Sequence, residues 1–328
     1  MTQPSEWQKS IEGEWHGNPA VFDAQGNCAG FIKVDRSSTF DGGQTTYVMD
    51  TKLDVQGPLR ARLEAQDFSF GVRDGNVDRV YMGPDFVGAG HPYGALVDAH
   101  YYSPGWTADL RTMVHILPDA KTQVYSSLLY DGPAIIAVFN GVYKMATDYG
   151  ENPETTKRVD EFCSTERKVG PKPHILPFKD AGAWSGTMEV YDAQQAPAGN
   201  AEVTIHYRPI TLLRAQVDVE VTGDVEFRAS YKRSRVGNRH VFEGPDVFGN
   251  GLGYGRALYT SQHFFGRALK IRGREFIIDD NYTMSAVWQV FSSDRRLHTM
   301  FGKLDWTCTE RLLTANYGDN QGSTAGAE

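Results

Sequence analysis

Asp98, His100 and Tyr102 stand at alternate positions in Asp98-Ala99-His100-Tyr101-Tyr102. In an extended strand that spacing puts all three side chains on one face. A histidine beside a carboxylate is a candidate general base whose tautomer the neighbour fixes. A phenol on the same face can donate a proton or polarise a carbonyl. The alternative is that Ala95, Val97, Ala99 and Tyr101 form the inward face and the polar trio meets solvent. His91 and His115 complete the candidate set.

These residues stand out because the chain repeats itself. Gly83-Pro84-Asp85-Phe86-Val87-Gly88-Ala89-Gly90-His91-Pro92-Tyr93-Gly94 matches Gly244-Pro245-Asp246-Val247-Phe248-Gly249-Asn250-Gly251-Leu252-Gly253-Tyr254-Gly255 at seven of twelve positions, with a constant offset of 161. The same offset pairs Leu110-Arg111 with Ile271-Arg272, and Gly141 with Gly302. Positions alike in both halves serve the fold, and positions that differ in chemical type are where a site can specialise. The repeated glycines therefore read as corners or bulges between strands. Asp98 to Tyr102 faces Tyr259-Thr260-Ser261-Gln262-His263 in the other half, so that strand differs. His91 faces Leu252 and His115 faces Phe276, which points to buried settings, each a satisfied core histidine or a site residue. Arg111 is matched by Arg272 and reads as structural.

Each half must supply the strands that position such groups. Val217, Val219 and Val221 alternate with polar residues, as do Val225, Phe227 and Ala229, with a turn at Gly223-Asp224. Turn signals recur at Asp41-Gly42-Gly43, Asp74-Gly75-Asn76, Asp131-Gly132 and Ser292-Ser293-Asp294. The one helix start named is Ser5-Glu6-Trp7-Gln8, capped by Ser5. A module of about 150 residues with eight to ten strands is expected to close into a barrel, which removes its edges. The polar stretch from Ala146 to Asp160 reads as a long surface loop. Pro171, Pro173 and Pro177 mark a stiff connector. The expected organisation is a first barrel over 1–168, a linker over 169–179, a second barrel over 180–313 and a disordered tail over 314–328.

The ends of the halves correspond as well. Gly13-Glu14-Trp15-His16-Gly17 mirrors Gly182-Ala183-Trp184-Ser185-Gly186, and Thr165-Glu166-Arg167 mirrors Thr309-Glu310-Arg311. A Gly-x-Trp on the first strand with an Arg on the last resembles the signature of the calycin, or lipocalin-like, superfamily. The resemblance covers residues 11–313 and implies two tandem lipocalin-like antiparallel β-barrels, an all-β fold. It further implies that Arg167 lies across Trp15 and Arg311 across Trp184. Tandem proteins of this kind include carotenoid hydratases and cofactor-free natural-product cyclases. The function so implied is a cofactor-independent cyclase, isomerase or hydratase-type lyase of secondary metabolism, acting on a small hydrophobic polyene, polyketide or aromatic metabolite. The alternative is a non-catalytic carrier of such a ligand.

Composition narrows the remaining classes. A formal charge of −8 disfavours a nonspecific nucleic-acid binder. The longest apolar run, Ala134 to Phe139, is far short of the ~20 residues of a membrane helix, so no membrane span is expected. Cys28, Cys163 and Cys308 show no CxxC spacing, and the N-terminus shows no signal-peptide pattern, so a reducing cytoplasm is the expectation. His206, His240, His263 and His298 lack mutual metal-ligand spacing, and no Gly-x-Ser-x-Gly or dinucleotide fingerprint occurs. A haem held by a single histidine trails as a third class. No cofactor and no metal are expected. The expected partner is a small hydrophobic ligand, with a homodimer left open.

Overall fold

The computed structural model describes residues 5–41, 44–63, 68–74, 78–146, 151–174, 180–279 and 283–311. By its internal contacts the chain divides into two compact units. The first is Met1–Pro173 with Gln194–Ala196 and Tyr254–Ala257, and the second is His174–Ala193, Pro197–Gly253 and Leu258–Glu328. Each unit is built on an antiparallel β-barrel, so the chain is an all-β tandem barrel protein.

The first barrel begins with β1 (Gly13–Gly17), β2 (Ala20–Asp23), β3 (Cys28–Asp41) and β4 (Gln44–Val55). It continues through β5 (Phe68–Asp74), β6 (Arg79–Met82), β7 (Val87–Tyr93) and β8 (Leu96–Ser103). β9 (Ala108–Ile116), β10 (Thr122–Asp131) and β11 (Ala134–Ala146) complete it. Both β1 and β2 pair with β11 on one side and β3 on the other. They are therefore one strand interrupted at Asn18-Pro19, where proline has no N–H for the ladder. The barrel closes through these pairings.

Helix α1 (Glu6–Ile11) starts where the sequence places it. Ser5 Oγ accepts from the Gln8 N–H at 3.1 Å, and Gln8 Oε1 accepts from the Ser5 N–H at 2.9 Å. This reciprocal pair is a capping box. The helix buries Trp7 and Ile11, and the Trp15 indole N–H donates to the Ile11 carbonyl at 3.0 Å.

Two expectations need correcting. The stretch read as a loop over 146–160 belongs in large part to a helix, α3 (Pro153–Val169), following the short α2 (Pro58–Arg62). Asn152 caps α3 by accepting from the Glu154 N–H, Pro153 opens it, and Thr155, Val159, Cys163 and Glu166 form its buried face. Arg167 therefore lies on a helix and not on a last strand. It pairs with Asp54 at 2.5 Å and sits 4.7 Å from the Phe31 ring centroid. The guanidinium over Trp15 belongs instead to Arg36, at 5.7 Å.

The second barrel runs β12 (Asp180–Asp192), β13 (Pro197–Thr211), β14 (Arg214–Gly223), β15 (Phe227–Val236) and β16 (Arg239–Glu243). It returns through β17 (Val247–Tyr254), β18 (Ala257–Phe264), β19 (Leu269–Ile277), β20 (Thr283–Ser292) and β21 (Arg295–Arg311). Here too the expected pairing of Arg311 with Trp184 is absent. Arg311 is exposed at the end of β21, in register with Asp180, and Trp184 packs against Trp306 at 5.5 Å. Val203, Ile205, Val217, Val219, Met284 and Leu304 help to fill the interior.

The duplication extends to strand boundaries. Leu96 and Ser103 bound β8 and Ala257 and Phe264 bound β18, each pair separated by 161. The turns before these strands place Gly94 and Gly255 at the same φ of 56°, a left-handed conformation that favours glycine. Pro171 and Pro173 carry no strand through His174, whereas Pro177 lies outside the described residues. So does the tail read as disordered, since description ends at Arg311. The three cysteines are free, and among the described residues no helix is long and apolar enough to cross a membrane.

Candidate functional site

Alternation along the first barrel's strands turns one set of side chains onto a common cavity. β3 contributes Ile32, Val34 and Arg36, β4 Tyr47, Met49 and Thr51, and β5 Phe68 and Phe70. β6 adds Arg79 and Tyr81, β8 Val97, Ala99 and Tyr101, and β9 Leu110, Thr112 and Val114. Tyr125, Phe139 and Tyr143 come from β10 and β11, while Phe86, Trp106, Trp7 and Ile11 complete the wall. The cavity measures about 100 Å³, and eleven of its 23 lining residues are aromatic. That volume approaches the ~150 Å³ at which an apolar protein cavity holds a benzene ring.

The rings brace one another. Tyr47 stacks on Phe70 at 5.2 Å, and Phe86 meets Phe70 and Tyr101 edge-on at 5.1 Å each. Trp106 lies parallel to Phe139 at 5.7 Å. Such contacts add directional preference to area burial, so the rings hold one another in place.

Two guanidiniums sit in this apolar wall. Arg36 lies 5.7 Å from each of the Trp15, Tyr47 and Tyr143 ring centroids, and its Nη2 donates to Gln123 Oε1 at 2.9 Å. Arg79 is 1% exposed, stands over Trp7, Tyr47 and Tyr81, and donates to the Tyr47 hydroxyl at 3.1 Å. Burial lowers the proton affinity of Arg36, and nearby Arg79 lowers it further, whereas Tyr47 and Tyr143 act in the opposite sense. Arg36 keeps some accessible surface although protein encloses it, as expected of a side chain that lines a cavity.

Hydroxyl groups of β8 and β9 also line the cavity. Tyr101 Oη lies 2.9 Å from Thr112 Oγ1, which lies 2.8 Å from Ser127 Oγ. Burial, aided by Tyr125, pushes the Tyr101 phenol well above its ordinary range. Burial likewise raises Tyr143. At neutral pH these phenols are neutral donors and acceptors, not bases.

The residues singled out from sequence lie elsewhere. Val97, Ala99 and Tyr101 take the inward phase of β8, so Asp98, His100 and Tyr102 take the outward one. The His100 and Tyr102 side chains are exposed, and His100 Nε2 lies 3.6 Å from Asp109, not Asp98. His91 pairs with Asp78 at 2.8 Å on the surface. His115 is buried, but Leu110, Thr112 and Val114 hold the cavity phase of β9, so it points away. The five candidates do not converge on one cavity. Among the described residues, no group of three or more His, Cys, Asp or Glu is placed to hold a metal ion.

His115 carries a stability prediction instead. Burial lowers it from 6.5 to about 4. The folded state thus holds it neutral while the unfolded chain binds a proton below pH 6.5. Its contribution is complete above pH 6.5 and is lost as pH falls towards 4, roughly 3 kcal/mol over that window. His115→Phe, which installs the counterpart of the buried Phe276, is expected to remove this slope. Urea unfolding at pH 7 and pH 4.5 checks it; equal pH slopes in both proteins would refute the assignment.

The second barrel treats its buried arginine differently. Arg233 Nε donates to His240 Nδ1 at 3.1 Å, and Arg233 Nη1 lies 3.8 Å from the Glu275 carboxylate. His174 Nε2 is also 3.8 Å from that carboxylate. Burial and the Arg233 charge hold both His174 and His240 below the usual imidazole range. This guanidinium has a carboxylate neighbour inside its own barrel.

No family profile matches the chain, and no curated protein matches it in sequence. Among solved structures, a protein of unknown function from the DUF3598 family of Nostoc punctiforme PCC 73102 is similar in fold. It has a TM-score of 0.59 at 10% identity, over 94% of this chain and 100% of that one. A putative outer membrane protein of Bacteroides fragilis reaches a TM-score of 0.23 at 8% identity, over 92% and 100%. Kievitone hydratase of Nectria haematococca reaches 0.20 at 7% identity, over 94% of each chain. Only the first is similar enough to bear on the fold.

Proposed function

We propose that the first barrel binds a small, largely apolar ring- or polyene-bearing molecule and acts on it as a cofactor-independent cyclase, isomerase or hydratase-type lyase. The observation that carries this reading is the difference between the barrels. The first gathers aromatic rings, guanidiniums and hydroxyls around a cavity. At several matching positions the second carries apolar core side chains instead, among them Ile205 and Leu304. Arg36 faces Trp15 across the β1–β3 ladder, and Ile205 faces Trp184 across β12–β13. Tyr143 corresponds at offset 161 to Leu304, a core residue of the second barrel.

In this reading the aromatic wall folds and orients the substrate, which lowers the entropic part of the barrier. Arg36 and Arg79 then stabilise negative charge growing on a substrate oxygen, in a site from which water is largely excluded. Tyr101, backed by Thr112 and Ser127, donates a hydrogen bond to the same type of oxygen. The carrier alternative is favoured by one feature: the ionisable groups lining the cavity are arginines and tyrosines, none of which serves as a base at neutral pH.

Ala99→Phe tests the location. Ala99 is 2% exposed on the cavity wall, so a ring there occupies the ligand's space. The substitution is expected to abolish binding of benzene, followed by tryptophan fluorescence, with a stability cost of at most about 1–3 kcal/mol. Undiminished binding in a folded variant would move the site out of this cavity. Enzyme and carrier separate once a ligand is in hand, since a carrier returns it unchanged.

A further inference from the structure

We infer that the ligand of the first barrel is an anion, an aryl or arylalkyl carboxylate whose carboxylate lies against Arg36 and whose ring lies among the aromatic side chains. This rests on the proposal that the cavity is a ligand site and adds the ligand's charge and head group.

The argument starts from an unbalanced charge. Arg36 Nη2 has one hydrogen-bond acceptor, Gln123, while Nε is sealed without a partner. Among the described residues no carboxylate lies within ion-pair distance of Arg36. The groups that act on its charge are Tyr47, Tyr143, Tyr81 and a second guanidinium, Arg79. Burying a cation without a counter-ion is costly, and the faces of aromatic rings offset only part of that cost. Arg233, the buried arginine of the second barrel, shows the ordinary solution, a carboxylate supplied by the chain itself. At Arg36 the described residues supply none.

Nor does the barrel architecture require this cation. Its counterpart beside the other floor tryptophan is Ile205, and the counterpart of Gln123 at offset 161 is Met284. A guanidinium–amide pair in the first barrel thus stands where the second has an apolar pair. The Trp7 indole N–H, on the same cavity wall, is a second buried donor without an acceptor. Guanidinium presents parallel N–H bonds that match a planar carboxylate. A phosphate dianion would lose more hydration and has more oxygens than these donors can serve.

The probes are benzoate, its neutral isostere benzamide, and phenyl phosphate, titrated calorimetrically at pH 7 and low salt. Wild type is expected to bind benzoate at least tenfold more tightly than benzamide, the range of a charge-assisted hydrogen bond. Arg36→Met is expected to erase that preference, so that benzoate binds no more tightly than benzamide. Arg36→Lys, which keeps the charge but not the fork, is expected to recover only part of it. Benzamide binding as tightly as benzoate in wild type would overturn the anion assignment and leave the cavity proposal standing. Tighter phenyl phosphate binding would overturn the carboxylate assignment. If none of the three binds, both proposals fail. The wild-type comparison stands even if the variants do not fold.

Discussion

Replacing Arg36 and Gln123 together by Ile and Met is expected to stabilise the unliganded protein by about 1–4 kcal/mol, the gain seen when buried charges give way to packed apolar groups. These are the residues of the second barrel, where Ile205 and Met284 belong to a filled core. The double change matters. Arg36→Ile alone strands the Gln123 carbonyl that now accepts from Nη2, at a cost of about 1–3 kcal/mol that would mask the gain. Chemical denaturation without ligand gives the answer. The same variant is expected to lose the preference for benzoate over benzamide. A rise in stability with a loss of recognition means that Arg36 is retained for binding. A fall of more than about 2 kcal/mol would mean that its contacts with Trp15, Tyr47 and Tyr143 hold the barrel together.

Trp15→Ala is expected to destabilise the first unit by about 3–5 kcal/mol. The indole is 0% exposed, its N–H bonds the Ile11 carbonyl, and Arg36 lies over its ring. Truncation would open a cavity and release α1, so Trp15→Phe should cost less by keeping a ring. Arg167→Ala is the informative contrast. If Arg167 closed the barrel against Trp15, its loss would approach that of the indole. Its exposed pairing with Asp54 predicts a change within about 1 kcal/mol. Urea unfolding of the three variants decides between these floors.

Much of the architecture was legible in the residues. The Gly83–Gly94 and Gly244–Gly255 match located equivalent corners, and period-two alternation identified strands because one barrel face is buried and the other wet. The Thr-Glu-Arg match misled, because three residues can be shared by a helix and a strand. Thr165 to Arg167 lie on α3, and Thr309 to Arg311 on β21. The helix had its own signals in Asn152, Pro153 and the spacing of Thr155, Val159 and Cys163, which a reading of 146–160 as a loop passed over.

The candidate site was missed for a reason of phase. Comparing the halves pointed to β8, but the differing residues on its outer face drew attention first. The same comparison on the inner face pairs Tyr101 with Gln262, Thr112 with Gly273 and Arg79 with His240. The plainest signal lay in Ile32-Lys33-Val34-Asp35-Arg36, where an arginine takes the apolar phase of an alternating strand. A charge at a core position is a local inconsistency of the kind that functional sites tolerate. What alternation alone could not supply is closure, which sets β3, β6 and β11 around one space.

The most direct test of the account is where an aromatic ligand lies. In methyl-labelled protein, benzene is expected to give intermolecular nuclear Overhauser effects to Ile32, Val34, Val97 and Val114 of the first barrel's wall. Effects confined to Val203, Val217, Val219 and Leu304, inside the second barrel, would contradict it.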